Sequence, residues 1–209
     1  MSSDIEAEAR NRPPPFPWLP LAVTLAIQTL VAVAVYCAPV MAPVAARDLS
    51  MSPSAIGWFI TIVYLGSMVG SVTAGGSVAR FGPIRVSQVG LVLCLAGLAL
   101  AATAVLPLVM LGAFVIGLGY GPSTPASSQI LMRASPPSVI ALTFSIKQTG
   151  VPLGGAIAGA AVPVMILALG WRSGAIVIGL ACVALALAIE PWRSRYDRGL
   201  DAHASMSLA

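Results

Sequence analysis

Six long apolar segments, separated by short loops, make up most of this 209-residue chain. A hydrocarbon layer roughly 30 Å thick needs about 20 residues of helix to cross it. The apolar runs are continuous, whereas a membrane-spanning β-strand has about ten residues of alternating polarity. The pattern therefore predicts six transmembrane helices, over residues 19–46, 56–79, 86–106, 108–132, 139–169 and 173–189.

Composition agrees with an all-α membrane protein. Hydrophobic residues make up 58% of the chain, charged residues 9%, and the mean hydropathy is +0.94. A soluble domain of this size needs far more polar surface. The formal charge of +4 would suit nucleic acid, but the arginines flank the apolar segments. We therefore expect the lipid bilayer, and no nucleic acid, as a partner.

The arginine distribution predicts the orientation. Basic residues concentrate in the cytoplasmic loops of membrane proteins. Placing the N-terminus inside puts most arginines in the cytoplasm (Arg10, Arg12, Arg80, Arg85, Arg133, Arg193, Arg195 and Arg198) and leaves Arg47 and Arg172 outside. We expect an integral protein of the cytoplasmic (inner) membrane, with cytoplasmic tails over 1–18 and 191–209 around a bundle over 19–190. The first apolar stretch is too long for a signal peptide and should remain as the first helix.

An internal repeat relates the two halves of the bundle. Shifting the sequence by 84 positions superposes the second predicted helix on the fifth, and Gly66, Gly70 and Gly75 then match Gly150, Gly154 and Gly159. Chance matches are the alternative in a chain rich in Gly, Ala and Ile. Because these helices cross the membrane in opposite directions, a true repeat would be an inverted 3+3 repeat, as in many secondary transporters.

The repeated glycines also predict close helix contact. Small residues at spacings of four lie on one helix face and let backbones approach. Two such faces are present, Gly66, Gly70 and Ala74 on the second helix and Gly150, Gly154 and Ala158 on the fifth, with Gly155 beside the latter. The sequence leaves open whether these faces pack inside the bundle or against a second bundle.

A loop motif and two helix segments resemble a known family. Gly75, Arg80, Gly82 and Arg85, between the second and third helices, fit the pattern Gly-x-x-x-Asp-Arg-x-Gly-x-Arg, with Ala79 in place of the Asp. This pattern resembles the cytoplasmic loop signature of the major facilitator superfamily. The segments 117–122 and 145–155 are similar to the fourth and fifth helices of such proteins, the latter to cyanate-permease-like members.

The resemblance covers about residues 19–198 and implies the first six-helix half of a two-bundle fold. It implies a secondary active transporter, or half of one, that moves a small solute across the membrane by alternating access, and Gly75, Arg80, Gly82 and Arg85 as a conformational loop motif. Another chain could supply the second six-helix bundle, or two copies could form a homodimer. The alternative is a truncated, non-transporting membrane subunit or remnant.

Lys147 is the one ionisable side chain inside the six predicted segments. A charge at the centre of a bilayer costs roughly 2.5–3.5 kcal/mol unless water or a partner stabilises it. Either the ammonium extends to the headgroups or it attracts an organic or inorganic anion. Neutral groups that could also bind a solute, or simply join helices, are Gln28, Tyr36, Tyr64, Tyr120 and Gln148.

Enzymatic chemistry is not predicted. The single histidine, His203, lies in the tail, and no cluster of His, Cys and acidic residues has the spacing of a metal or nucleophile site. Cys37, Cys94 and Cys182 fall inside predicted helices, where we expect free thiols. We therefore expect no cofactor, no metal and no disulfide.

Overall fold

The computed structural model describes residues 16–52 and 56–197, and all regular structure in these ranges is helical. Most of the two predicted tails, with Arg10, Arg12, Arg198 and His203, falls outside these ranges. The helices are α1 (Trp18–Asp48), α2 (Ile56–Phe81), α3 (Pro83–Ala102), α4 (Leu106–Tyr120), α5 (Ser123–Ala134), α6 (Ile140–Gln148), α7 (Gly150–Leu169), α8 (Trp171–Ala188) and α9 (Arg193–Tyr196), with a short 3-10 turn at Glu190–Trp192.

These helices form six spans long and apolar enough to cross a membrane, which confirms the prediction. Spans one to three are α1, α2 and α3, span four is α4 with α5, span five is α6 with α7, and span six is α8 with its C-terminal turns. The third helix begins at Pro83, three residues before the predicted start, because proline at the first helical position needs no N–H partner. The bundle is an integral membrane fold.

Prolines divide the fourth span. Pro122 and Pro125 lack the N–H groups that would bind the carbonyls of Leu118 and Gly121. The hydroxyl of Ser71 on α2 donates to the Gly121 carbonyl at 3.2 Å and replaces one of the missing bonds. The helix interruption is therefore tied to the second span.

The fifth span is interrupted at Thr149, between α6 and α7. Pro152 lacks the N–H that would bind the Gln148 carbonyl, and the hydrogen bonds on either side run from Thr149 to Ile146 and from Leu153 to Thr149. Pro39 and Pro43, by contrast, lie within the continuous helix α1. The interruption marks the region of Lys147.

The glycine faces pack inside the bundle. A Cβ on Gly70 would lie 2.8 Å from the Leu118 carbonyl oxygen of α4, and one on Gly154 would lie 2.5 Å from the Thr29 carbonyl oxygen of α1. Both distances are too short for a side chain, so only glycine lets these backbones approach. The structure thus places both glycine faces inside the six-span bundle, which we also call the lobe, rather than against a second bundle.

Packing follows the inverted repeat. The second span packs on the fourth and, in the other half, the fifth packs on the first. The third and sixth spans, which also correspond to each other in the repeat, pack together as α3 and α8. The fold is an inverted 3+3 arrangement, with a core built from α1, α3 and α8 that includes Ile27, Leu91 and Cys182.

Candidate functional site

A buried polar cluster lies where the first, fourth and fifth spans meet. Gln28, Ser123 and Lys147 have exposed fractions of 1%, 3% and 1%. The Ser123 hydroxyl donates to Oε1 of Gln28 at 3.4 Å. The Lys147 ammonium donates to Oε1 of the adjacent Gln148 at 3.3 Å. Two hydrogen-bonded pairs, one of neutral groups and one that includes the Lys147 cation, thus lie on helices that pack together.

The interrupted fifth span brings this cluster together. A Cβ on Gly150 would lie 3.1 Å from both Cβ and Cγ of Gln28, so the glycine lets α7 rest directly on that side chain. Lys147 lies three residues before Gly150, on the other side of the interruption at Thr149, and its side chain is buried. The side chain is therefore directed into the lobe, and its exposure does not favour the alternative in which the ammonium reaches the headgroups.

Carboxylates in the described ranges lie at helix ends, away from the interior of the spans. Asp48 accepts hydrogen bonds from Trp171 and Arg172, and Glu190 from Gln88 and Arg193. Asp197 follows α9 and accepts bonds from the start of α3. Each of these acids is engaged at an end of the bundle, which leaves the positive charge of Lys147 in an otherwise neutral interior.

Three tyrosines form a second polar group. Tyr36 lies beside Tyr64, and Tyr120 lies near both. The Tyr36 ring lies about 3.6 Å from the position of a Cβ on Gly155. Tyr36 therefore connects the second and fifth spans, and Tyr64, with an exposed fraction of 47%, opens this group to the outside of the lobe.

The predicted solute-binding residues thus fall into two groups. Gln28 and Lys147 are buried, whereas Gln148 and Tyr64 are exposed. Gln148 is linked to the buried group, because its side-chain oxygen accepts a hydrogen bond from the Lys147 ammonium while the residue itself is exposed. This arrangement can hold a polar solute at the exposed groups with a positive charge behind it.

Comparison with known proteins identifies the family. The sequence model of the Major Facilitator Superfamily matches residues 24–205. The chain belongs to the major facilitator superfamily. With six spans in an inverted repeat, the described residues have the fold of one half of such a protein.

Curated superfamily transporters are similar in sequence. The 4-hydroxybenzoate transporter PcaK of Pseudomonas putida is 30% identical over 155 residues, which are 73% of this chain and 34% of that protein. The niacin transporter NiaP of Acinetobacter baylyi is 28% identical over 147 residues, 69% of this chain and 33% of that protein. Plastidic glucose transporter 4 of Arabidopsis thaliana is 28% identical over 159 residues, which are 72% of this chain and 29% of that protein. The chain spans about a third of the length of these relatives.

The superfamily loop motif lies at the end of the bundle where the described chain begins and ends. Gly75 is exposed, and the Arg80 guanidinium lies 5.2 Å above the Phe81 ring. Gly82 has a φ of +90°, which favours glycine, and precedes the first residue of α3. Arg85 is exposed on the first turn of α3. The motif runs from the last turns of α2 through the turn at Gly82 to the first turn of α3.

Asp197 is a site residue that the sequence analysis missed. Its carboxylate accepts hydrogen bonds from the backbone N–H of Ile84 at 2.9 Å and of Arg85 at 3.3 Å. A Cβ on Gly82 would collide with this carboxylate, so the glycine also makes room for it. An acid at a helix N-terminus satisfies free N–H groups and the helix dipole. Asp197 therefore ties the end of the sixth span to the loop motif, in which Ala79 replaces the expected acid.

The Asp197→Ala variant is expected to lose about 1 kcal/mol of stability, the usual cost of removing a helix cap. Asp197→Asn is the matched control, because an amide oxygen can still accept from Ile84 and should preserve most of the stability. Thermal unfolding of both variants in the same detergent measures the difference. Equal stability of Asp197→Ala and wild type would contradict the capping role.

The same carboxyl predicts a pH effect. Burial raises the pKa of Asp197 above its ordinary value of 3.8 and outweighs the Ile84 and Arg85 hydrogen bonds and the nearby arginines, which lower it. The folded state therefore binds a proton more readily than the unfolded state. As pH falls from neutral towards 3.8, wild type should gain stability relative to Asp197→Asn, and this gain should disappear as pH rises through the raised pKa. A stability difference between wild type and Asp197→Asn that does not change with pH would contradict the raised pKa.

Proposed function

We propose that this chain is a lobe of a secondary active transporter that moves a small organic or inorganic anion across the cytoplasmic membrane by alternating access. The observation that carries the proposal is Lys147, a cation buried to an exposed fraction of 1% at the interrupted fifth span. Ionisable groups inside membrane spans generally mark solute or ion pathways. An anionic solute would supply the negative charge that the interior of the described spans lacks.

The electrostatic effect of Lys147 is large enough to select an anion. At an effective dielectric constant of about 20, the attraction between the ammonium and a unit negative charge about 6 Å away is worth about 3 kcal/mol. Gln148 extends this attraction outward, because its Oε1 accepts from Lys147 and its amide nitrogen is a donor directed away from the ammonium. An anion at Gln148 would thus have a hydrogen-bond donor with a positive charge behind it.

Aromatic carboxylates suit the tyrosine group. Tyr36, Tyr64 and Tyr120 lie close together, and aromatic rings pack favourably against each other in offset or edge-to-face arrangements. Two of the similar transporters are named for 4-hydroxybenzoate and niacin, both aromatic carboxylic acids. The likeness of segment 145–155 to cyanate-permease-like proteins also favours an anion. We therefore choose aromatic carboxylates as probes.

We infer that a second six-helix bundle, from another chain or a second copy, completes the solute path. The second and fifth spans are the least buried, at 22% and 17% of their most apolar windows, against 39–61% for the other four. Tyr36 contacts residues of both spans, so the tyrosine group lies between them. A bundle docked on this face would enclose the tyrosines and Gln148 rather than leave them to lipid. The arginine distribution supports cytoplasmic termini.

Uptake into proteoliposomes that contain the full chain tests the proposal. Nicotinate and nicotinamide share a ring and differ in a carboxylate against an amide, so they are a matched pair. We expect nicotinate uptake to exceed nicotinamide uptake by about tenfold or more, given the charge attraction estimated above. Equal uptake of both compounds would contradict anion selectivity. Uptake of neither would favour the alternative, a non-transporting membrane subunit.

A further inference from the structure

The Lys147 ammonium has no acidic partner among the described residues. It donates to the neutral Oε1 of Gln148 at 3.3 Å, and the ion pairs of the described ranges do not include it. The carboxylates in those ranges are engaged at the ends of the spans, Asp48 with Trp171, Glu190 with Arg193 and Asp197 with Ile84. With an exposed fraction of 1%, the lysine is also shielded from water. In the solute-free lobe, no described group therefore compensates its charge.

The helices that pack against α6 bury polar but neutral side chains. α6 packs on α1 and α5, whose buried polar residues have exposed fractions of 0–3% and are Thr24, Gln28, Ser123 and Ser127. The hydroxyls of Thr24 and Ser127 donate to carbonyls of their own helices at 2.8 and 2.7 Å. The charged residues of α1 and α5 lie in the last turns of these helices. The interior near α6 thus offers dipoles to a cation, but no opposite charge.

An uncompensated charge makes the loaded and the empty carrier behave differently. Alternating access passes through a closed state in which the solute site is shut off from water on both sides. With an anion bound, the Lys147 ammonium enters that state as half of a neutral pair. Without the anion, it enters as an uncompensated buried charge, which is strongly destabilising. The empty lobe should therefore return across the membrane more slowly than the loaded lobe.

We propose that the lobe works as an anion exchanger, in which Lys147 permits a rapid return only when a second anion occupies the site. This inference rests on the proposed function and adds its mode of transport. One monovalent anion enters as another leaves, so each cycle moves two anions in opposite directions and no net charge. Lys147 keeps its proton throughout, and the second anion provides the negative charge that the described interior lacks. The exchange partner is therefore another small monovalent anion.

Initial rates of labelled nicotinate uptake into proteoliposomes of the full chain test the exchange. One set of vesicles is loaded with unlabelled nicotinate and the other with nicotinamide, its neutral counterpart, at equal osmolarity. Valinomycin with equal potassium on both sides removes any membrane potential, so charge build-up does not slow the second set. After subtraction of protein-free vesicles, uptake should be about tenfold or more faster into the nicotinate-loaded set. Equal initial rates would overturn the proposal.

The Gln148→Glu variant supplies the missing negative charge from the protein itself. Its carboxylate would take the place of the amide oxygen that already accepts from Lys147. The ratio of the two uptake rates should fall to about one, because the empty lobe is then neutral, while nicotinate binding should weaken about tenfold, because two anions compete for one cation. Gln148→Met, similar in size and uncharged, is the matched control and should keep the wild-type ratio. A wild-type ratio in Gln148→Glu, or its loss in Gln148→Met, would overturn the proposal.

The Lys147→Arg variant separates a fixed charge from a movable proton. A guanidinium keeps its proton, so this variant should keep a ratio of about tenfold or more, at whatever rate it exchanges. If wild-type Lys147 released its proton during the return step, an alkaline interior would raise uptake into the nicotinamide-loaded vesicles to the exchange rate, and that result would overturn the proposal. Equal, saturable rates into both wild-type sets would leave anion transport standing without exchange. No saturable uptake into either set would overturn the proposed function together with this inference.

Discussion

Replacing Lys147 with Met is expected to reduce nicotinate uptake by about tenfold or more while raising the thermal stability of the protein. The loss of uptake follows from removing an attraction of about 3 kcal/mol for the solute anion. The gain in stability follows because a buried charge in a membrane span costs roughly 2.5–3.5 kcal/mol and Met fills a similar volume without that cost. Uptake into proteoliposomes and thermal unfolding in detergent measure the two effects on the same preparation.

Thr143→Val is the matched control for Lys147→Met. Thr143 lies on the same helix, has an exposed fraction of 0% and donates its hydroxyl to the Val139 carbonyl at 2.9 Å. Its replacement removes a buried polar group but no charge, so nicotinate uptake should stay near the wild-type value. Wild-type uptake by Lys147→Met, or a fall in its stability, would show that the lysine serves the packing of the lobe and not the solute.

Replacing Gly154 with Leu is expected to prevent the fifth span from docking on the first. A Cβ at this position would lie 2.5 Å from the Thr29 carbonyl oxygen and 2.6 Å from the Ala32 Cβ. Both are atoms of helix α1 that cannot move aside without shifting the helix. Overpacking a tight core by a few methylene groups already costs about 1–3 kcal/mol, and a leucine against backbone should exceed this. The yield of monodisperse protein after detergent extraction should fall sharply.

Gly159→Leu provides the control on the same helix. A Cβ on Gly159 would meet no atom within 4 Å, so a leucine there would extend into open space. Glycine is about 0.8–1.0 kcal/mol less favourable than alanine inside a helix, and leucine is close to alanine on that scale. This variant should be as stable as wild type or more so. Similar losses from both substitutions would mean that the Gly154 face is not a packing contact.

The apolar pattern predicted the spans because the hydrocarbon of a bilayer offers no hydrogen-bond partners to the backbone. About 20 residues without charge can cross a bilayer only as a helix, and this constraint acts on each segment independently. The observed spans agree with the prediction, apart from a few residues at their ends. The interruptions at Gly121 and Thr149 were less predictable, since Pro39 and Pro43 leave α1 continuous while Pro122 and Pro152 stand at interruptions. A proline alone removes a bond but does not decide whether the helix divides.

The candidate site was harder to predict, because it depends on contacts between distant residues. The glycines of α2 and α7 indicated a close approach, but only the backbones of α1 and α4 reveal which helix approaches. Lys147 was conspicuous in the sequence, whereas its enclosure follows from how the fifth span rests on Gln28. Asp197 lies 113 positions from the N–H of Ile84 that it caps, and no local pattern marks such a pair.

Equilibrium binding of nicotinate and nicotinamide to the purified chain tests the central claim most directly, because it measures charge selection without requiring a complete transport cycle. Wild type should bind nicotinate with release of heat in a calorimeter and show no binding of nicotinamide over the same range. Lys147→Met should bind neither compound. Equal affinity of wild type for the carboxylate and the amide, or unchanged nicotinate affinity in Lys147→Met, would contradict the assignment of this lobe to an anion transporter.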